Sequence, residues 1–247
     1  MGLYRDEGIA LRTYRLGEAD RIVSFLTPGH GKVRAVAKGV RKTKSRLGAR
    51  VEPLSHLSLL LWQGRELDVV SQAEVLDSFR AVREDLSRLS RGLTMLEIAD
   101  QVAQERQPAP ELFALLKGAL SALEQSASPV VLGAFSFKLL GIEGVGPVVD
   151  RCARCGAGEP LVAFDATIGG LLCVGCRRGE AVGPEVVALL RQVLSGGLAR
   201  AIAETEPVTA RLFEQLGTAA MEAHLDRRLR TARQLEDLAF RHPISPR

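Results

Sequence analysis

All four cysteines of the chain fall in one stretch, "CARCGAGEPLVAFDATIGGLLCVGC", as the pairs Cys152/Cys155 and Cys173/Cys176. Each pair is C-x-x-C, and seventeen residues separate the two. A redox C-x-x-C needs only one pair, usually opening a helix near a βαβ unit; the doubled pair has the spacing of a zinc ribbon. Gly156 follows the first pair and Gly175 lies inside the second, so each pair can occupy a tight turn that converges two thiolates. Two such turns at the ends of a short hairpin complete a tetrahedron of sulfurs around one Zn2+. Four thiolates leave no open position for water or substrate, so the ion expected here is structural. Binding of this kind is worth on the order of 10–16 kcal/mol in isolated modules, enough to fold a small lobe. The chain is 46% hydrophobic and 247 residues long, so it can bury a core without staples and the metal matters only locally.

The rival chemistry for paired cysteines, disulfide bonding, depends on the compartment. The opening "MGLYRDEGIA" has no apolar signal-peptide core, and apolar runs such as "LSLLLW" (57–62) are far too short to span a membrane. A cytosolic protein is expected, with no membrane partner, and disulfides are rare there.

Charge is unevenly placed. Residues 1–80 hold 14 Lys and Arg against 9 Asp and Glu, while the remainder holds 19 against 20. The excess concentrates in "GKVRAVAKGVRKTKSRLGAR" (31–50), which carries Lys32, Arg34, Lys38, Arg41, Lys42, Lys44, Arg46 and Arg50 and no acid. Such a run reads either as a solvated loop or as a patch that tracks phosphates, and the absence of acids across twenty residues favours the patch.

Around it, "GIALRTYRL", "RIVSFLT", "KVRAVAKGV", "HLSLLLW" and "LDVVSQAEV" have strand character. Five short strands with a basic excursion between the third and fourth suggest an OB-fold barrel. Tyr4, Tyr14 and Trp62 all lie in this region. Aromatics beside cations suit single strands, although Trp62 ends an apolar strand and is expected in the core. From Phe79 onward the period becomes helical. "AVREDLSRLSRGLTMLEIADQVAQE" places Val82, Leu86, Leu89, Leu93 and Leu96 on one stripe. Pro110 opens the next helix, "SPVVLGAFSFKLL" follows with Gly141 available to end it, and "PVTARLFEQLGTAAMEAHLDRRLRTARQLEDLAF" is a long final helix. Arg227, Arg228, Arg230 and Arg233 cluster late in that helix, where a helix C-terminus accounts for them as well as DNA does. The fold class is therefore α+β: an N-terminal OB-fold β-barrel (1–79), then an α-helical domain (80–247) with an inserted four-cysteine zinc knuckle (150–180).

Signs of catalysis are missing: there is no phosphate-binding loop and no dinucleotide fingerprint. His30, His56, His224 and His242 are scattered without paired spacing. A nuclease or nuclease accessory factor would want carboxylates gathered around magnesium. A zinc-containing transcription regulator would need a helix bearing base-reading residues, which the short ribbon does not offer. No enzymatic activity is expected.

Two motifs carry a resemblance. "YRLGEADRIVSFLTPGHGKVRAVAKGVRKTKSRLGARVEP" resembles the N-terminal barrel signature of the RecO family of bacterial recombination mediators. "FKLLGIEGVGPVVDRCARCG" followed by "GGLLCVGC" resembles that family's helix-to-zinc signature. The resemblance implies binding of single- and double-stranded DNA and annealing of complementary strands without nucleotide hydrolysis. It further implies a partnership with RecR in loading RecA onto strands coated by single-strand binding protein, in the cytoplasm and associated with the nucleoid. Carried onto this chain, it places DNA contacts on Lys38, Arg41, Lys42, Lys44, Arg46 and Arg50, and zinc on Cys152, Cys155, Cys173 and Cys176.

Overall fold

The computed structural model describes residues 2–40, 47, 48 and 50–231, which divide between Ser121 and Ala122 into two compact units. Arg41, Lys42, Lys44, Arg46, Arg233 and His242 lie outside the described residues. Among those described, no helix is long and apolar enough to cross a membrane.

The first unit opens with strands β1 (Leu3–Leu16), β2 (Asp20–Thr27), β3 (Gly31–Ala37), β4 (His56–Trp62) and β5 (Asp68–Asp77). They close into a barrel in the order β1-β2-β3-β5-β4, with β3 and β5 parallel and the other pairs antiparallel. This is the OB-like barrel expected from the strand pattern. Alternation along each strand sends Val23, Phe25, Val33, Ala35, Leu57, Leu59 and Leu61 inward to one core. β1 is long enough to pair with two neighbours, and a bulge between Ala10 and Arg12 redirects it from β4 to β2. Because Leu57, Leu59 and Leu61 take the inward positions of β4, Trp62 must face out, and it is 49% exposed. The expectation that it belongs to the core is corrected by strand parity.

Helices α1 (Arg80–Glu84), α2 (Leu86–Val102) and most of α3 (Pro110–Gln125) complete this unit. The continuous helix expected from residue 81 onward is broken at Asp85, which is extended (φ −115°, ψ 124°) and whose carboxylate caps the Arg88 N–H at 2.8 Å. An aspartate N-cap starts α2 anew. Leu86 in consequence leaves the apolar stripe and is exposed, while Val82 and Leu96 remain buried.

In the second unit α4 (Val130–Ile142) is apolar on every side, as befits a helix enclosed by others. The glycine that stops it, just past the Glu143 cap, is Gly144 and not Gly141. Gly144 takes φ +78°, and bonds from Val145 N–H to Leu140 O and from Gly144 N–H to Gly141 O complete a Schellman stop. The lobe that follows holds β6 (Leu161–Asp165), β7 (Gly170–Cys173) and β8 (Glu180–Ala181) in the order β7-β6-β8. Helices α5 (Pro184–Leu194), α6 (Leu198–Glu204) and α7 (Pro207–Leu225) follow. α4 and α7 approach closely at Gly133 and Gly217; a Cβ on Gly133 would lie 2.5 Å from the Phe213 ring. Phe137 of α4 meets Phe213 at 5.3 Å and Phe164 of β6 at 5.6 Å between ring centroids, so one aromatic links the bundle and the lobe. The long final helix is also corrected: α7 stops where Asp226 adopts φ 47° and Arg227 N–H returns to Glu222 O. Arg227 and Arg228 therefore follow the helix and are not part of its last turn.

Candidate metal centre and nucleic-acid interface

The hairpin of β6 and β7 sets the spacing of the two cysteine pairs. Its turn is closed by Asp165, whose carboxylate accepts the N–H groups of Thr167 and Ile168 at 2.9 Å. Cys173 ends β7, and a 3₁₀ turn over Val174–Cys176 swings Cys176 back toward it. The first pair is laid beside β7 by backbone bonds from Val148 N–H to Gly169 O, Leu171 N–H to Val148 O and Ala153 N–H to Leu171 O. Gly156, at φ +77°, then closes the turn by donating to Cys152 O at 2.9 Å.

The four Sγ atoms of Cys152, Cys155, Cys173 and Cys176 all lie within 4.8 Å of one another, and Cys155 and Cys173 are 3.7 Å apart. A tetrahedron with Zn–S bonds of about 2.3 Å has S–S edges of about 3.8 Å, so the thiols have the geometry of a tetrathiolate metal site. Their titration is split. Backbone N–H groups, led by that of Cys173, draw Cys152 down to about 6, while hydrogen bonding with Cys155 pushes Cys176 up to about 12. Four adjacent thiols cannot all ionise unaided, and a bound dication removes that penalty. Charges around the lobe are mutually engaged: Arg178 pairs with Asp165 at 2.5 Å, and Arg191 reaches Glu159 at 2.7 Å and Asp150 at 3.7 Å. Among the described residues, no histidine or carboxylate cluster forms a second metal-binding group.

The basic segment divides in two. Lys38 and Arg50 are exposed on the connection leaving β3, which continues through the sequence positions of Arg41, Lys42, Lys44 and Arg46. Arg50 also donates to the Ala73 carbonyl at 3.1 Å. Lys32 and Arg34 instead stand on the outer face of β3 and have protein partners. Lys32 Nζ donates to Asp100 O at 2.6 Å, and Arg34 lies 3.8 Å from Glu105.

That outer face contains residues the sequence reading did not single out together. Arg12 donates to the Asp100 carboxylate at 3.1 Å, and the Ser24 hydroxyl donates to the same group at 3.0 Å. Burial would lower the Arg12 pKa, but the hydrogen bond to Asp100, together with the charge interactions with Tyr14, Asp100 and Glu97, outweighs that and holds it above the usual value. At one end of the barrel Asp68 is fully buried and accepts from Tyr4 Oη at 2.5 Å, Arg106 at 3.0 Å and Gly64 N–H at 3.0 Å. The even-numbered positions Arg12 and Tyr14 of β1 were the available sequence signal for the outer face; the partners of that face lie on β2, β3 and α2.

Two family descriptions match the chain: "Recombination protein O N terminal" over residues 1–79 and "Recombination protein O C terminal" over residues 83–233. A protein of a Nocardioides species (strain JS614), named "DNA repair protein RecO", is 43% identical over 246 residues, covering 95% of this chain and 99% of that protein.

Proposed function

The chain belongs to the RecO family, which gives it a role in DNA repair, and on that premise we propose that it is a recombination mediator. It binds single- and double-stranded DNA in the cytoplasm and anneals complementary strands. With RecR it helps load RecA onto strands coated by single-strand binding protein. The observation that carries this reading is the acid-free basic run of residues 31–50, which begins on β3 of an OB-like barrel, in a chain matched by the RecO family over residues 1–79 and 83–233.

Two complementary strands repel through their phosphates. Lys38, Arg41, Lys42, Lys44, Arg46 and Arg50, supported by Lys32 and Arg34 on the strand, neutralise several charges and lower that barrier. Annealing of this kind requires no catalytic residue, and the protein is not an enzyme. One structural Zn2+ is held by Cys152, Cys155, Cys173 and Cys176; closed by four thiolates, it stiffens the lobe and meets no substrate.

Annealing of two complementary oligonucleotides without nucleotide cofactor tests the proposal. Fast annealing by the wild type is expected, together with its loss when Lys38, Arg41, Lys42 and Lys44 are all changed to Glu in a folded variant. With six to eight cations engaged, binding to single strands falls with salt at a log–log slope on the order of −4 to −6. Salt-insensitive binding, or annealing that survives the four substitutions, rejects the basic loop as the site.

A further inference from the structure

The barrel register builds a second feature on the outer face of β1, β2 and β3. Tyr14 is paired with Ile22 and Ile22 with Val36, forming an apolar row headed by an aromatic ring. The adjacent outward row joins Arg12, Ser24 and Arg34, so two guanidinium groups lie beside it. Tyr14, Ile22, Ser24, Lys32 and Arg34 line a groove of about 440 Å³, together with the acids Asp100 and Glu105. Arg12 lies over the Tyr14 ring, 5.8 Å from its centroid, yet Tyr14 remains 46% exposed.

We propose that this groove is a nucleobase site, in which one base of a single-stranded nucleic acid stacks on Tyr14 and Arg34 takes the adjoining phosphate. The proposal rests on the DNA-binding reading above and adds a site distinct from the basic loop. A base in a duplex has both faces covered by its neighbours, whereas an unpaired base can exchange a stacking partner for an aromatic side chain. The strand 2–3 face of an OB barrel is also where oligonucleotides commonly lie. The two acids in the lining are compatible with this use. The Asp100 carboxylate is already satisfied by Arg12 and Ser24, and the Arg34–Glu105 pair is long and half exposed. Such a pair is weak enough for Arg34 to exchange a carboxylate for a phosphate.

The test compares binding of a thymine oligonucleotide with an abasic oligonucleotide of equal length, by fluorescence anisotropy at one salt concentration. The wild type should prefer the thymine strand by about tenfold, the range expected for one stacked base. Tyr14→Ala should abolish that preference without weakening abasic binding, and Tyr14→Phe should keep it. Trp62→Ala, which alters another exposed aromatic of the same barrel, should leave the preference intact. The proposal is overturned if Tyr14→Ala retains the preference, if Trp62→Ala removes it, or if the wild type binds the two strands equally. Equal binding would leave the DNA-binding reading standing, whereas a wild type that binds neither strand would remove both.

Discussion

Glu7 shows how one side chain can make the first unit sensitive to acid. It lies on β1 between His56 of β4 and Lys117 of α3, whose Nζ donates to it at 2.8 Å. Burial would raise its pKa, but the hydrogen bonds from Lys117 and His56 outweigh burial and hold it below the ordinary value of 4.5. A carboxyl with a depressed folded-state pKa stabilises the fold above its unfolded value. That contribution is lost as pH falls through the folded value. The melting temperature should therefore drop more steeply below about pH 4.5 in the wild type than in Glu7→Gln. At pH 7 the variant should melt a few degrees lower, since it lacks the carboxylate that faces the Lys117 ammonium and hydrogen-bonds His56. Thermal melts of both proteins between pH 7 and pH 3 make the comparison, and superimposable profiles would refute the linkage.

At the scale of elements, the segment between α2 and α3 packs as an irregular extension of β3. Lys32 N–H donates to Gln104 O at 3.0 Å, and Arg106 N–H donates to Lys32 O at 3.1 Å. Gly31 makes this approach possible: it has φ +62°, and a Cβ there would lie 1.8 Å from the Gln107 carbonyl oxygen. Gly31→Ala should combine left-handed strain with a backbone clash and cost about 3 kcal/mol. That corresponds to a melting temperature lower by about 6–12 °C. A loss smaller than the effect of Gly118→Ala, where an added Cβ meets nothing within 4 Å, would show that the segment yields freely. The same region shows what could be read in the sequence. The strands were legible because alternation in "RIVSFLT" and "HLSLLLW" is local, and the metal site because two C-x-x-C turns each impose their own geometry. The break at Asp85 was hidden because Val82, Leu86 and Leu89 keep helical spacing across it, although aspartate is a good N-cap. The outer groove was hidden for another reason. Opposing Arg12 with Ser24 depends on the bulge after Ala10, and bringing Asp100 to both depends on how α2 packs on the barrel; neither is a property of any short stretch.

For the molecule as a whole, the proposed metal and DNA sites lie in different compact units, which makes their roles experimentally separable. The lobe has apolar contacts of its own: Leu161, Phe164, Leu171 and Leu172 are buried, and Phe164 packs on Phe137 of α4. Loss of the ion should consequently loosen the lobe and lower the stability of the second unit without unfolding the barrel. Metal analysis of the purified protein should give one zinc per chain. Chelation under reducing conditions, or Cys155→Ser together with Cys173→Ser, should lower the melting temperature by more than ten degrees or so, given the free energy that a tetrathiolate site contributes. Below that transition, the salt slope of single-strand binding should match that of the metal-loaded protein, because the cations responsible lie between residues 32 and 50. Unchanged melting would make the cysteine cluster dispensable to the fold. A slope that becomes shallower on chelation while circular dichroism still reports a folded barrel would place phosphate contacts in the second unit, with Arg227 and Arg228 the first residues to test.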